Sequence, residues 1–363
     1  MYGFEPSDEQ KMLVTAIQKY AAKDLREAAH DADEEGRYPP EVVRRGWELG
    51  VLQASIPEAY GGFGERSAVT GVLAAEELAW GDLAGALEVM APGTFALPTL
   101  AAGTEEQKKR WLPGLVEGDW RPLVAAITEP DFDYGADNLR TVATRHNGGY
   151  VLDGEKCLVP FAVSAEAFLV FARLDDKAQG FYVPRGVDGL TIGEREGYCG
   201  LGSLPTHRLR FEKVHVQAAD RLGGEVGFDP GPVLAAANTA AAALAVGLGR
   251  AAFEYALAYA KEREVFGTPI AQKQSIAFGL AEMAIELEAI RLLVWEAAWL
   301  LDAGKDAGKT AYLALTGASD LAMMVTDRAV QYLGGHGYIR EHPVERWMRN
   351  GRGVALFPGL AMV

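Results

Sequence analysis

Several stretches of this chain hold residue types that do chemistry, and most have a plainer use. Gly247-Leu248-Gly249-Arg250-Ala251-Ala252 has the spacing of a dinucleotide-binding loop. Such a loop works only between a strand and a helix N-terminus. Here it lies inside one continuous helical pattern, so it reads as a place where helices pack. The histidines at 30, 146, 207, 215, 336 and 342 show no i, i+4 pairing and no carboxylate set beside them, so no metal site is expected. No G-x-S-x-G elbow and no P-loop occurs. Asp31, Asp33, Glu34 and Glu35 read as a solvated face, and Arg346, Arg349 and Arg352 as inter-domain ion pairs.

Three further segments stand out as a set. Ala126-Ile127-Thr128-Glu129-Pro130 closes a strand-like run and is followed by Gly154-Glu155-Lys156. Glu262-Arg263-Glu264-Val265-Phe266-Gly267 is followed by Gln274. Gln331-Tyr332-Leu333-Gly334-Gly335-His336-Gly337-Tyr338 is followed by Pro343-Val344-Glu345-Arg346. Taken singly, Arg263 is a charge at a helix end and Gly334-Gly335 a helix C-cap.

The elements that must position these segments follow from periodicity. Ser7-Asp8-Glu9-Gln10 and Thr104-Glu105-Glu106-Gln107 are capping boxes. Helical spacing follows the first, and helices are expected from Pro40 towards Leu49, over Ser67–Ala79 and Thr94–Ala102, and from Thr104 to Val116. Short β-branched and aromatic runs then take over: Leu123–Ile127, Leu139–Arg145, Tyr150–Leu152, Phe168–Ala172, Phe181–Val183 and Leu209–Val216. Asn147-Gly148 between two of them signals a hairpin, because both residues tolerate positive φ. Long helices are expected over Val233–Arg263, Gln272–Asp302 and Thr310–Leu333, with a fourth from Pro343. The fold class is therefore α+β and multidomain. It has an N-terminal helical domain over 1–120, a middle antiparallel β domain over 121–228, and a C-terminal four-helix bundle over 229–363.

Composition narrows the function. The chain has 363 residues and a formal net charge of −15, which repels phosphate backbones and makes nucleic acid a poor partner. Cys157 and Cys199 are too few for a disulfide framework, and Met1 to Glu5 show no signal-peptide pattern, so a cytoplasmic location is expected. Pro230 to Gly249 is free of formal charge but rich in Ala and Gly, with Asn238 and Thr239 inside. A buried helix is expected there, not a membrane span.

In order and spacing, on a helical–β–helical layout, the three segments resemble the acyl-CoA dehydrogenase family. Ile56-Pro57-Glu58 and Gly61-Gly62 extend the match into the first domain, so it covers essentially the whole chain. The resemblance implies a flavoprotein, usually tetrameric, in which the flavin ring lies within one subunit and the neighbour holds the diphosphate and adenosine end of FAD. A glutamate takes the α-proton of an acyl thioester while a β-hydride passes to flavin N5. Matched to that pattern, Arg263 meets the diphosphate, with Phe266 and Gln274 beside it. Gln331, Gly334 and Gly335 reach the adenosine end, and Ile127 and Thr128 are also matched to cofactor-binding positions.

The chemical centre departs from the family. The Tyr-Glu-Gly-Thr motif is replaced by Phe357-Pro358-Gly359-Leu360, so Pro358 stands where the base belongs. Proline has neither a carboxylate nor an N–H. The alternative base position of some relatives holds Ala237. The loop after Glu129-Pro130 is Asp131-Phe132-Asp133-Tyr134-Gly135, and the flavin-covering Trp-Ile-Thr is Leu158-Val159-Pro160. Ala235 and Asn238 replace the polar pair near coenzyme A. The expected function is a non-catalytic subunit. It would complete the FAD site of a second, glutamate-carrying subunit of the same family, which holds the acyl-CoA. Two rivals are a homomeric FAD enzyme using Asp131 or Asp133 as a relocated base or reacting with oxygen, and a cofactor-free scaffold.

Overall fold

The computed structural model describes residues 5–131, 135 and 138–363. The first domain is helical: α1 (Asp8–Tyr20), running through one π turn into α2 (Arg26–Glu35), then α3 (Pro40–Trp47), α4 (Ala68–Gly81), α5 (Leu83–Met90), α6 (Gly93–Ala102) and α7 (Glu105–Val116). Both capping boxes form: Ser7 Oγ accepts from Gln10 N and Gln10 Oε1 from Ser7 N, and Thr104 and Gln107 do the same. Helix α5 lies outside the expected set. It is nearly all buried, so it shows no polar face to the periodicity, and its start is marked only by the Asp82 cap on Gly85 N.

The middle domain is one seven-stranded sheet: β1 (Val124–Ala126), β2 (Val142–His146), β3 (Gly149–Pro160), β4 (Ala167–Leu174), β5 (Lys177–Pro184), β6 (Leu190–Arg195) and β7 (Thr206–Gln217). Its spatial order is β1-β4-β2-β3-β7-β6, with β5 also on β4. The Asn147-Gly148 hairpin forms with both residues at positive φ. Two pairings depart from the antiparallel expectation. β1 runs parallel to β4, and β2 meets β4 in a single parallel pair. The reason is connectivity: β4 inserts between β1 and β2, which no local pattern reveals. Strand β6 was not anticipated either; its Leu-Thr-Ile-Gly-Glu-Arg run is largely exposed at the sheet edge.

The C-terminal domain holds α8 (Gly231–Glu262), a short hairpin of β8 (Glu264–Val265) and β9 (Thr268–Pro269), then α9 (Gln274–Asp302), α10 (Gly308–Leu333), the short α11 (Gly335–Tyr338) and α12 (Val344–Gly351). Three long helices and the brief α12 make the bundle. Helix α8 is long and apolar enough to cross a membrane, but most of it is buried inside the protein. A Cβ on Gly247 would lie 2.2 Å from Glu76 O, so the glycine-rich stretch is where α4 crosses α8 closely.

Charges stitch the domains together. Arg250 on α8 and Arg291 on α9 both reach the buried Glu76 of α4, at 2.9 and 2.8 Å. Asp302 at the end of α9 accepts from Ala68 N and Val69 N, capping α4 from the other domain. Arg349 pairs with Asp33 at 2.7 Å, as an inter-domain contact should. Asp33 is therefore no solvated residue: it also takes Arg340, at 2.9 Å.

Candidate functional site

The chain's end of α8, the β8–β9 hairpin, the start of α9 and the α10–α11 junction surround one surface groove of about 400 Å³. Arg263, Gln331, Gly334 and Gly335 line it together. Arg263 is exposed and, among the described residues, has no ion-pair partner. Nothing lies within 4 Å of where a Cβ on Gly334 or Gly335 would stand, so the main chain there is open to a ligand. Tyr259, outside the matched segments, and His336, inside the third, also line it; Tyr259 O–H and His336 Nδ1 are 2.8 Å apart. The signal for Tyr259 is helical spacing, since Tyr255, Tyr259 and Arg263 fall four apart on one face.

Phe266 is the tip of the β8–β9 hairpin. It and Gly267 both have positive φ, at 56° and 76°, which a two-residue hairpin turn requires. A bulky side chain in that region is costly, and this one is 95% exposed, so its own fold gains little from it. Gln274, also exposed, opens α9 just beyond.

Ile127 and Thr128 lie elsewhere, after β1. Both are buried. Thr128 Oγ1 is 3.5 Å from Pro358 O, and a Cβ on Gly359 would press on Ile127 at 3.1 Å. Leu158, Val159 and Pro160 on β3 are buried as well. Leu158 has φ 55°, with its N–H donated to Glu196 Oε2 at 2.9 Å. Ala237 sits inside α8, 1% exposed. Asp131 is 3.6 Å from Arg140. Asp133, Phe132 and Tyr134 lie outside the described residues. Among the described residues, no three of His, Cys, Asp and Glu are grouped to hold a metal.

Comparison with known proteins puts a name to this arrangement. The N-terminal, middle and C-terminal domains of acyl-CoA dehydrogenase match residues 7–119, 124–214 and 233–361. The acyl-CoA dehydrogenase of Bacillus subtilis (strain 168) is 35% identical over 365 residues, 97% of this chain and 95% of its own. This chain belongs to the acyl-CoA dehydrogenase family. The structure of butyryl-CoA dehydrogenase from Megasphaera elsdenii superposes with a TM-score of 0.89 at 34% identity, covering 99% of this chain and 96% of its own. That of a glutaryl-CoA dehydrogenase from Mycobacterium smegmatis, in complex with FADH2, superposes at 0.86 with 27% identity, covering 98% and 92%.

For an acyl-CoA dehydrogenase chain, the fit to FAD divides in two. The α8–α10 groove offers a free guanidinium, an amide and open main chain, a donor set suited to a diphosphate and its nucleoside. Ile127, Thr128 and Leu158, by contrast, are themselves buried.

Proposed function

We propose that this chain is a subunit without dehydrogenase activity of its own, which lends the α8–α10 groove to a second acyl-CoA dehydrogenase subunit in a heterotetramer. Arg263 would hold the diphosphate of the partner's FAD. Gln331 and the main chain at Gly334 and Gly335 would meet the adenosine end, with Phe266 and Gln274 reaching across the interface. Bound FAD supplies the hydride acceptor for α,β-dehydrogenation of an acyl-CoA thioester. The partner supplies the glutamate that takes the α-proton. In this chain Pro358 has no group to accept that proton.

The contrast between the two halves carries this reading: Arg263 and Phe266 are exposed and unengaged, whereas Thr128 and Ile127 are covered by Pro358 and Gly359. An apolar stripe agrees with a docking face. Phe278, Ile285 and Leu292 recur every seven residues on α9 and are 61%, 65% and 44% exposed, beginning one turn beyond Gln274. Large apolar side chains aligned on a surface mark an interface. Both cysteines are free thiols, in keeping with a cytoplasmic assembly.

The test is purification alone and after co-expression with a glutamate-carrying family member. Alone, the chain should retain little FAD and bleach no flavin with acyl-CoA. The co-purified complex should hold FAD and bleach on addition of acyl-CoA. Stoichiometric FAD on a homotetramer of this chain would overturn the proposal.

A further inference from the structure

In the family chemistry the thioester's reacting carbon must sit beside the position that Pro358 now holds, and its acyl chain must run from there into apolar space. Four residues on from Pro358, at Met362, the chain lines such a space, between α3, α4, α5 and α6, walled also by Trp47, Leu78, Val89, Met90 and Leu97. Only about 40 Å³ of it is empty, little more than room for a water molecule or two. Met362 and Val363 line what is left, and the residues from Leu360 to Val363 are each no more than 3% exposed.

The local sequence steers them there. Leu360 N donates to Phe357 O at 2.8 Å across Pro358-Gly359, and Gly359 has φ 97°. Proline at the second position and a positive-φ glycine at the third are the demands of a type II turn. The turn reverses the chain at Thr128 and sends the next four residues inward. Val363 packs on Gly71, where an added Cβ would come within 2.8 Å of Val363 Cβ, and its main-chain oxygen accepts from Arg66 Nη2 at 2.6 Å. Leu360, Ala361 and Val363 join the core of the helical domains, and Met362 joins the neighbouring core under the sheet.

We propose that Leu360–Val363 is an internal occupant of the acyl cavity: an apolar segment of the chain lies where a fatty acyl group would lie and keeps this subunit from taking one. This goes beyond the shared-FAD reading, because it concerns a binding site within this chain and needs neither flavin nor partner.

The test is calorimetric titration of the purified chain with straight-chain fatty acids from butyrate to dodecanoate and with the matching acyl-CoAs. The intact chain should show no saturable uptake. Deleting residues 360–363 should give one site per chain, with a gain of at least about tenfold in affinity. Equal binding by the intact chain, or no gain in a deletion variant that keeps its circular dichroism and cooperative melting, overturns the proposal. If the deletion does not fold, Met362→Ala with Val363→Ala enlarges the same cavity while keeping the main chain. That variant should bind benzene or xenon where the intact chain does not, and failure to bind either overturns the proposal. A chain that held FAD by itself would sink the preceding reading and leave this result untouched.

Discussion

Lys156 Nζ lies 2.8 Å from Glu129 Oε1, with the two side chains 0% and 1% exposed. Both groups make further hydrogen bonds. Lys156 also donates to Ile127 O at 2.9 Å, and Glu129 accepts from Arg140 N and Thr141 N at 2.6 and 2.9 Å. It therefore pins the turn after β1 to the middle of β3. Burial draws the Lys156 ammonium down to about 8, opposed by Glu129. Burial would raise the Glu129 carboxyl, but the Lys156 charge and the main-chain donors outweigh it and hold the group below its ordinary range.

Breaking such a pair leaves a buried charge alone, so Lys156→Met should cost about 3–5 kcal/mol in urea denaturation, as should Glu129→Gln. The double variant Lys156→Met/Glu129→Leu should cost less than the sum. The sign in acid follows from the depressed carboxyl. Its contribution is complete above about pH 4.3 and is lost as pH falls through the lower folded-state value. A loss of under about 1 kcal/mol in both single variants, measured at neutral pH, would contradict this account.

Glu88 has the opposite sign. It is 4% exposed, and its Oε1 has no hydrogen-bond partner. Burial, reinforced by Asp82 and opposed by Arg195, pushes its carboxyl well above the ordinary range. The folded state thus holds a proton that the unfolded chain releases above about pH 4.3, and stability must fall as pH rises. Glu88→Gln, which stays neutral, should be level with the parent at about pH 4 and more stable than it by over ~1 kcal/mol at about pH 8. Melting curves across that range decide it: parallel profiles for the two proteins would mean Glu88 is not held protonated.

The groove residues allow a separation of assembly from fold. Arg263 and Phe266 are both exposed and support little of the core. Arg263→Ala and Phe266→Ala should therefore leave the melting temperature of the isolated chain within the span of ordinary surface changes, about ±0.5 kcal/mol. In the co-expressed complex the same changes should lower FAD content. Losing a charge-assisted contact worth about 1.5–3 kcal/mol weakens retention roughly tenfold to a hundredfold for Arg263→Ala. Unchanged FAD in the complex would show that the groove faces something else.

Much of this was legible in the sequence because it is written locally. Ser7 with Gln10, Thr104 with Gln107, and Asn147 with Gly148 each specify a cap or turn through neighbours in the chain. The segments around Arg263 and Gln331 were marked by joint spacing, and the fold of α8 and α10 brings them to one groove. What escaped is non-local. Nothing in Val124–Ala126 announces a parallel partner in β4, and Asp33 looks solvated until Arg349, from the far end of the chain, arrives. Pro358 could be read as the loss of a base. That Pro358 and Gly359 also turn an apolar segment inward became visible only with the cavity that Met362 and Val363 line.

Restoring the carboxylate should not by itself restore dehydrogenation. In Pro358→Glu a general base worth about 10²–10⁴-fold stands at the right place in the sequence, but two obstacles remain. Met362 and Val363 still line and narrow the apolar cavity between α3 and α6, and Ile127 and Thr128 stay buried. The change also removes the fixed φ that pre-forms the turn, at a cost of about 0.4–1 kcal/mol. The isolated variant, supplied with excess FAD and butyryl-CoA or octanoyl-CoA under anaerobic conditions, should show no bleaching of the flavin. Rapid bleaching by Pro358→Glu alone would mean that the site is open to flavin and thioester after all.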